Sequence, residues 1–234
     1  MLGTIINALA ILLGGSAGLA LRGSAPERLR ESIMKGLGLT VLLIGIRGAI
    51  ATADMMCVIV SMAIGIAIGE LINIENRLER LGDFTRRKLG ASPLANAIGE
   101  TFTEGFVTAS LLYCTGAMAI VGSMEGGLYG SHSTLLAKAL LDGITSMFFA
   151  STLGIGVLFS AIPVFAYQGL IVMTARFVAP LLTDEIIREM SAVGGLLIAA
   201  IGLNLTQVGK LRAGNMIPAT FIPLIYLPIA ALFS

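Results

Sequence analysis

Long apolar runs alternate with short polar connections along the whole chain, and the runs are too long and too unbroken for a soluble fold. Hydropathy marks eight of them, at 2–21, 34–52, 54–73, 103–122, 136–160, 163–181, 190–208 and 214–232. Each is close to the roughly 20 residues that carry an α-helix across a hydrocarbon core of about 30 Å. None shows the alternation in ~10-residue segments of a transmembrane barrel strand. The pattern predicts an all-α, polytopic membrane helix bundle of about eight transmembrane helices, one integral membrane domain over 1–234. Charge interrupts two of the runs: Arg47 lies inside the second, and Lys138 and Asp142 lie in the opening turns of the fifth. The longest polar stretch, 74–100, follows the third run. Its first part sets Leu78, Leu81 and Phe84 at helical spacing among Arg77, Arg80, Arg86, Arg87 and Lys88. That is the pattern of a helix lying on the membrane surface, and Ser92-Pro93 breaks it.

Composition agrees with this reading. Charged residues make up 12% of the chain, about half the share of an average soluble protein, and mean hydropathy is +0.93. A net charge of +1 gives no reason to expect nucleic acid as a partner; the expected partner is the lipid bilayer, with a homo-oligomer left open. The basic residues also segregate. If the N-terminus is outside, Arg22, Arg28, Arg30, Lys35, Arg77, Arg80, Arg86, Arg87, Lys88, Lys210 and Arg212 all fall on the inner side. By the positive-inside rule both termini then face outward. The first run has no basic segment before it, so it reads as a retained span and not as a cleaved signal. Cys57 and Cys114 sit in separate runs and read as small packing residues.

Glycine is ordered as well as abundant, at 29 positions. Gly14 with Gly18, and Gly65 with Gly69, have the small-xxx-small spacing that lets helix backbones approach closely in lipid. Two internal matches suggest an inverted repeat, a feature of many transporters. Gly38-Leu39 and Ile44-Gly45-Ile46 recur as Gly195-Leu196 and Ile201-Gly202-Leu203, 157 residues on. Glu104-Gly105-Phe106-Val107-Thr108 recurs as Asp142-Gly143-Ile144-Thr145-Ser146, 38 residues on, and at that offset Gly116 falls on Gly154. Both matches join spans of opposite predicted direction.

The segment Cys114-Thr115-Gly116-Ala117-Met118-Ala119-Ile120-Val121-Gly122-Ser123 precedes Lys138-Ala139-Leu140-Leu141-Asp142-Gly143. Gly154-Ile155-Gly156-Val157-Leu158-Phe159-Ser160-Ala161-Ile162-Pro163-Val164 then follows. Together these resemble the bacterial membrane proteins of domain-of-unknown-function family 554, over essentially the whole chain. The resemblance implies a bacterial inner-membrane protein with several spans, and it implies no substrate.

Enzyme signatures are missing. The one histidine, His132, falls in a loop, so His-based zinc sites and dyads are not expected. No phosphate-cradling loop occurs, and neither a cofactor nor a metal is predicted. A Ser/Lys dyad of Lys138 with Ser146 is the remaining catalytic arrangement, and no second motif supports it. Ionisable residues inside spans are expensive and are functional candidates by default. Asp142 is the foremost. Lys138 lies one turn before it and Ser146 one turn after it on the same stripe. The two readings are a self-neutralising Lys138–Asp142 pair and a cation- or proton-binding acid. Glu104, with Thr108 one turn deeper, is the proposed counterpart at the other face; the alternative is an acid placed to suit the helix macrodipole. Arg47 either snorkels outward or meets an acid, of which Asp142 is the one within reach by depth. Asn7, Gln168 and Asn204 are neutral polar groups at membrane depth that serve as interhelical glue or as ligands. Pro218, Pro223 and Pro228 each remove a backbone donor from the last run. The function expected is a small transporter or channel for a cation or a proton-coupled solute. The alternative is a non-transporting scaffold or regulator working through 74–100.

Overall fold

In the first helix the side chains that turn inward are Gly3, Thr4, Asn7, Ile11, Gly15 and Gly18, while Leu13 is 72% exposed and Leu2, Leu9 and Leu21 are exposed with it. Lipid tails are as apolar as leucine, so a membrane helix gains nothing by hiding its leucines and packs instead through small and polar residues. The same inversion leaves Leu71 88% exposed on the third helix.

The computed structural model describes residues 1–22, 26–77, 80, 84 and 101–232. Among the described residues no strand forms. The helices are α1 (Leu2–Arg22), α2 (Glu27–Ala49), α3 (Met55–Ile72), α4 (Phe102–Cys114), α5 (Ala117–Leu128), α6 (Ser133–Leu153), α7 (Gly156–Phe159), α8 (Ala161–Val178), α9 (Asp184–Leu205) and α10 (Pro223–Ala230). A 3-10 segment, Ala213–Phe221, leads into α10. Asp54 caps α3 by accepting hydrogen bonds from the backbone nitrogens of Met56 and Cys57, and Thr183 does the same for Ile186 at the start of α9. Most of the surface segment expected at 74–100, including Leu78 and Leu81, lies outside the described residues; 74–77, Arg80 and Phe84 are helical.

The expected spans are present with four changes. The second begins seven residues earlier, at Glu27, because its polar opening turns are helical too. The fourth is broken into α4 and α5, bent by 60° at Gly116, whose φ of +133° is a conformation that favours glycine. The fifth stops at Leu153 and not at residue 160, because Gly154 takes φ +83° and the guanidinium of Arg22 packs over the place a side chain would fill. The last opens as a 3-10 segment containing Pro218.

The chain divides into two compact units. Unit 1 comprises Met1–Met34, Asn76–Cys114 and Met118–Ala175. In it α1 lies parallel to α6: Gly3 packs on Leu135, Gly14 on the Gly143 backbone and Gly18 on the Met147 backbone. A Cβ at Gly14 or Gly18 would run into a carbonyl oxygen, so the expected small-xxx-small pair sets this approach. The bent pair α4–α5 runs the other way along the whole of α6. At one end the Thr101 hydroxyl donates to the Leu153 carbonyl at 2.8 Å, and Phe102 packs against Phe106 and Phe159. In the middle Tyr113 meets Ser146. At the far end the Thr134 hydroxyl donates to Glu125 at 2.6 Å. Among the described residues seven helices are long and apolar enough to cross a membrane, and the bent pair counted as one span makes eight.

Unit 2 comprises Lys35–Glu75, Thr115–Ala117 and Arg176–Ser234. Here α2 and α9 run antiparallel, with Gly38 on Gly202 and Thr206, and Gly45 on Gly195 and Ala199. Gly65 and Gly69 of α3 lie on the backbone of Ala219 and Asn215 in the 3-10 segment, as their spacing predicts. Val58, Ala192, Val193 and Ala219 form the core between these elements.

Candidate functional site

Buried polar side chains gather in unit 1. Lys138 and Asp142 are 7% and 6% exposed, one turn apart on α6. The Lys138 ammonium lies 2.9 Å from each Asp142 oxygen. The amide nitrogen of Asn7, on the parallel face of α1, donates to Asp142 Oδ2 at 3.0 Å. One turn further along α6 the Ser146 hydroxyl donates to the Tyr113 hydroxyl at 2.9 Å, and both residues are buried. The site is therefore a polar column down the inner face of α6, walled by α1 on one side and α4 on another. It exists because α1 and α6 approach through glycine: without side chains at Gly14 and Gly143 the two backbones close up, and Asn7 reaches the acid.

Asp142, the foremost candidate, lies with Lys138 in a buried, hydrogen-bonded pair. A buried pair of this kind holds together through short charge-assisted hydrogen bonds, and it presents no net charge. Lys138 and Ser146 do not form a dyad; each has another partner. Both cysteines are free, and among the described residues no group of acids, histidines and cysteines is placed to hold a metal ion.

The remaining candidates divide. Gln168, on α8, is fully buried, with no hydrogen-bond partner for either side-chain polar atom among the described residues. Thr108 is buried on α4. Glu104 does not join Asp142. It sits exposed on the first turn of α4, the end that meets Leu153, and 11 residues of α6 separate that end from Asp142, about 16 Å at helical rise. The two matched segments are thus aligned in sequence without converging in space. Arg47 is exposed in the last turn of α2, in unit 2, and Asp142 takes its partners from its own unit. Asn204 is a loop clamp: its amide accepts from the Leu211 backbone nitrogen at 2.8 Å and donates to the Leu211 carbonyl at 2.7 Å. It holds closed the turn in which Gln207 takes φ 64°.

Two groups escape a reading of the sequence. Glu189 of α9 is fully buried; it accepts from the Thr52 hydroxyl and from the Ala53 backbone nitrogen at 2.9 Å. It fastens the α2–α3 loop, a role invisible in sequence because its partners lie some 137 residues away. Tyr113, which closes the column at Ser146, carries no sequence signal beyond being a polar aromatic in an apolar run.

Seven to eight candidate spans, leucines turned outward and a buried polar column define a multi-pass α-helical membrane protein. The model of the family described as Protein of unknown function (DUF554) matches residues 2–227, and the chain belongs to that family. It is 33% identical to "Uncharacterized membrane protein YdfK" of Bacillus subtilis, over 95% of this chain and 94% of that one. It is also 33% identical to "Uncharacterized protein YqgA" of Escherichia coli, over 100% of this chain and 98% of that one. No solved structure matches it.

Proposed function

We propose that the protein is a small membrane transporter or channel, with unit 1 as the element that binds what is moved and Asp142 as its responsive group. The observation that carries this reading is the Lys138–Asp142–Asn7 cluster, held at membrane depth, where ionisable groups are costly to keep. Of the two substrates expected from the sequence, the cluster favours a proton-coupled solute over a bare cation, because Lys138 and Asn7 already occupy both oxygens of the acid. A proton arriving at Asp142 would loosen its hold on Lys138 and change the hydrogen bonding of the whole column.

A match between elements, which we read as an inverted repeat, supports the same proposal. Moving the sequence by 157 residues carries α1 onto α8, α2 onto α9 and α3 onto the 3-10 segment with α10, with element ends agreeing to within three residues. The spans so paired run in opposite directions, the arrangement found in many secondary transporters. The proposed orientation places both termini on the periplasmic face of a bacterial inner membrane, from the segregation of basic residues.

The test is reconstitution into proteoliposomes loaded with pH-, sodium- and potassium-sensitive dyes. The expected result is proton movement above that of empty vesicles, lost in Asp142→Asn while the variant stays folded in the membrane. Equal proton movement in wild type and Asp142→Asn would remove Asp142 from the mechanism.

A further inference from the structure

One set of buried polar atoms takes no part in the cluster just described. Thr4, Asn7, Ser123 and Gln168 are all fully buried. Among the described residues no partner is recorded for Thr4 Oγ1, Asn7 Oδ1, Ser123 Oγ or either amide atom of Gln168. His132 Nδ1, at the start of α6, shares this condition, and apart from the amide nitrogen of Asn215 in unit 2 every such atom among the described residues belongs to unit 1. Proteins satisfy nearly all such groups, and a buried amide or hydroxyl without a partner is costly. Five residues in one unit therefore call for a common explanation.

Their placement supplies it. Gly3 of α1 and Gly122 of α5 both pack on Leu135, and Gly169 of α8 faces the Met1 side chain. Thr4, Ser123 and Gln168 are the chain neighbours of these three glycines, so they lie at one level, around the first turn of α6. Asn7 lies one turn of α1 deeper, where its nitrogen meets Asp142 and its oxygen is left over. The orphaned groups thus continue the polar column from Asp142 to the end of unit 1 at the α5–α6 loop, where Tyr129 is 79% exposed. They comprise two hydroxyls, one complete amide, one amide oxygen and, from His132, a ring nitrogen.

We infer that Thr4, Asn7, Ser123 and Gln168, with His132 beside them, form a binding site for a small solute bearing hydroxyl or amide groups, on its way past the Lys138–Asp142 pair. Such a solute both donates and accepts, as these groups do. The inference rests on the reading of unit 1 as the transport element and names the class of solute that this element takes.

The test uses the full chain in proteoliposomes, with glycerol, urea and acetamide as probes and entry followed by light scattering after an osmotic step. At least one probe should enter faster than into protein-free vesicles. Gln168→Leu keeps the volume and removes both orphaned atoms; it should slow that entry about tenfold, the loss of two neutral hydrogen bonds, with no fall in melting temperature. Ser123→Ala, a milder change, should slow it by a smaller factor. Entry no faster than in empty vesicles for all three probes overturns the site. So does faster swelling by water alone, or solute entry unchanged in both variants. The Asp142 reading fails separately, because proton movement is measured with the pH dye: loss of proton flux in Asp142→Asn with no solute entry in the wild type keeps that acid and overturns this site.

Discussion

Removing Lys138 alone isolates the energetics of the column. Lys138→Met keeps an unbranched side chain and takes the ammonium from both oxygens of Asp142, leaving only the Asn7 amide beside the carboxylate. An unpaired carboxylate at this depth escapes by binding a proton, and neutralising an ordinary aspartate at pH 7 costs about 4 kcal/mol. In the converse variant, Asp142→Asn, Lys138 is stranded, and neutralising an ordinary lysine at pH 7 costs about 5 kcal/mol. These figures are ceilings, and they agree with the roughly 3–5 kcal/mol lost when one partner of a buried pair is removed. The double variant leaves no charge and keeps an amide facing Asn7, so most of the loss should return. Thermal unfolding in a fixed detergent measures the cycle. For a chain of this length each 1 kcal/mol moves the midpoint by about 2–4 °C, so each single variant should fall by roughly 10 °C and the double should recover most of it. The Lys138→Met deficit should also shrink by about 1.4 kcal/mol for each pH unit below 7, because that variant takes up a proton on folding and is favoured by acid. Additive losses in the cycle, or a Lys138→Met deficit indifferent to pH, would refute the charge-paired column.

Two further expectations concern the scaffold. Gly45→Leu would drive a side chain into the backbone of Gly195 and Ala199; an overpacked crossing of this kind loses about 1–3 kcal/mol or more, whereas Gly36→Leu, with open space around it, should unfold within a few degrees of wild type. A reporter active only in the periplasm, fused after Ser234, should be active if both termini face outward, and activity from a cytoplasmic reporter at the same place would reverse the proposed orientation.

The helices were legible because each depends on a local property. A run of about 20 apolar residues with no backbone partner in lipid has to be helical, and hydropathy finds such runs directly. The glycine pairs were legible for the same reason: Gly14, Gly18, Gly65 and Gly69 each lie on a helix–helix contact because small residues are what a lipid-facing helix can pack with. Breaks were less visible. Gly116 and Gly154 match at an offset of 38, and both take a positive φ, but in a chain with 29 glycines nothing local separates a glycine that bends a helix from one that packs it.

Convergence was the part that the sequence withheld. Similar strings paired Asp142 with Glu104, while the structure sorts residues by their level along α6: Asp142 meets Asn7 from 135 residues away, Ser146 meets Tyr113, and Glu104 stays with the far end. A level is set by where helices touch, and the touching residues are glycines several turns from the polar groups they bring together. The α2–α9 pair shows how the two kinds of information connect. Gly38 and Gly45 recur as Gly195 and Gly202, yet Gly38 touches Gly202 and Gly45 touches Gly195. That crossed pairing is what an antiparallel pair related by a two-fold axis requires, since each glycine meets the counterpart of its partner. Under the proposed repeat, the sequence match already contained the register of this contact. Asp142 and Glu104 lack that reciprocity, and so their likeness in sequence carried no distance.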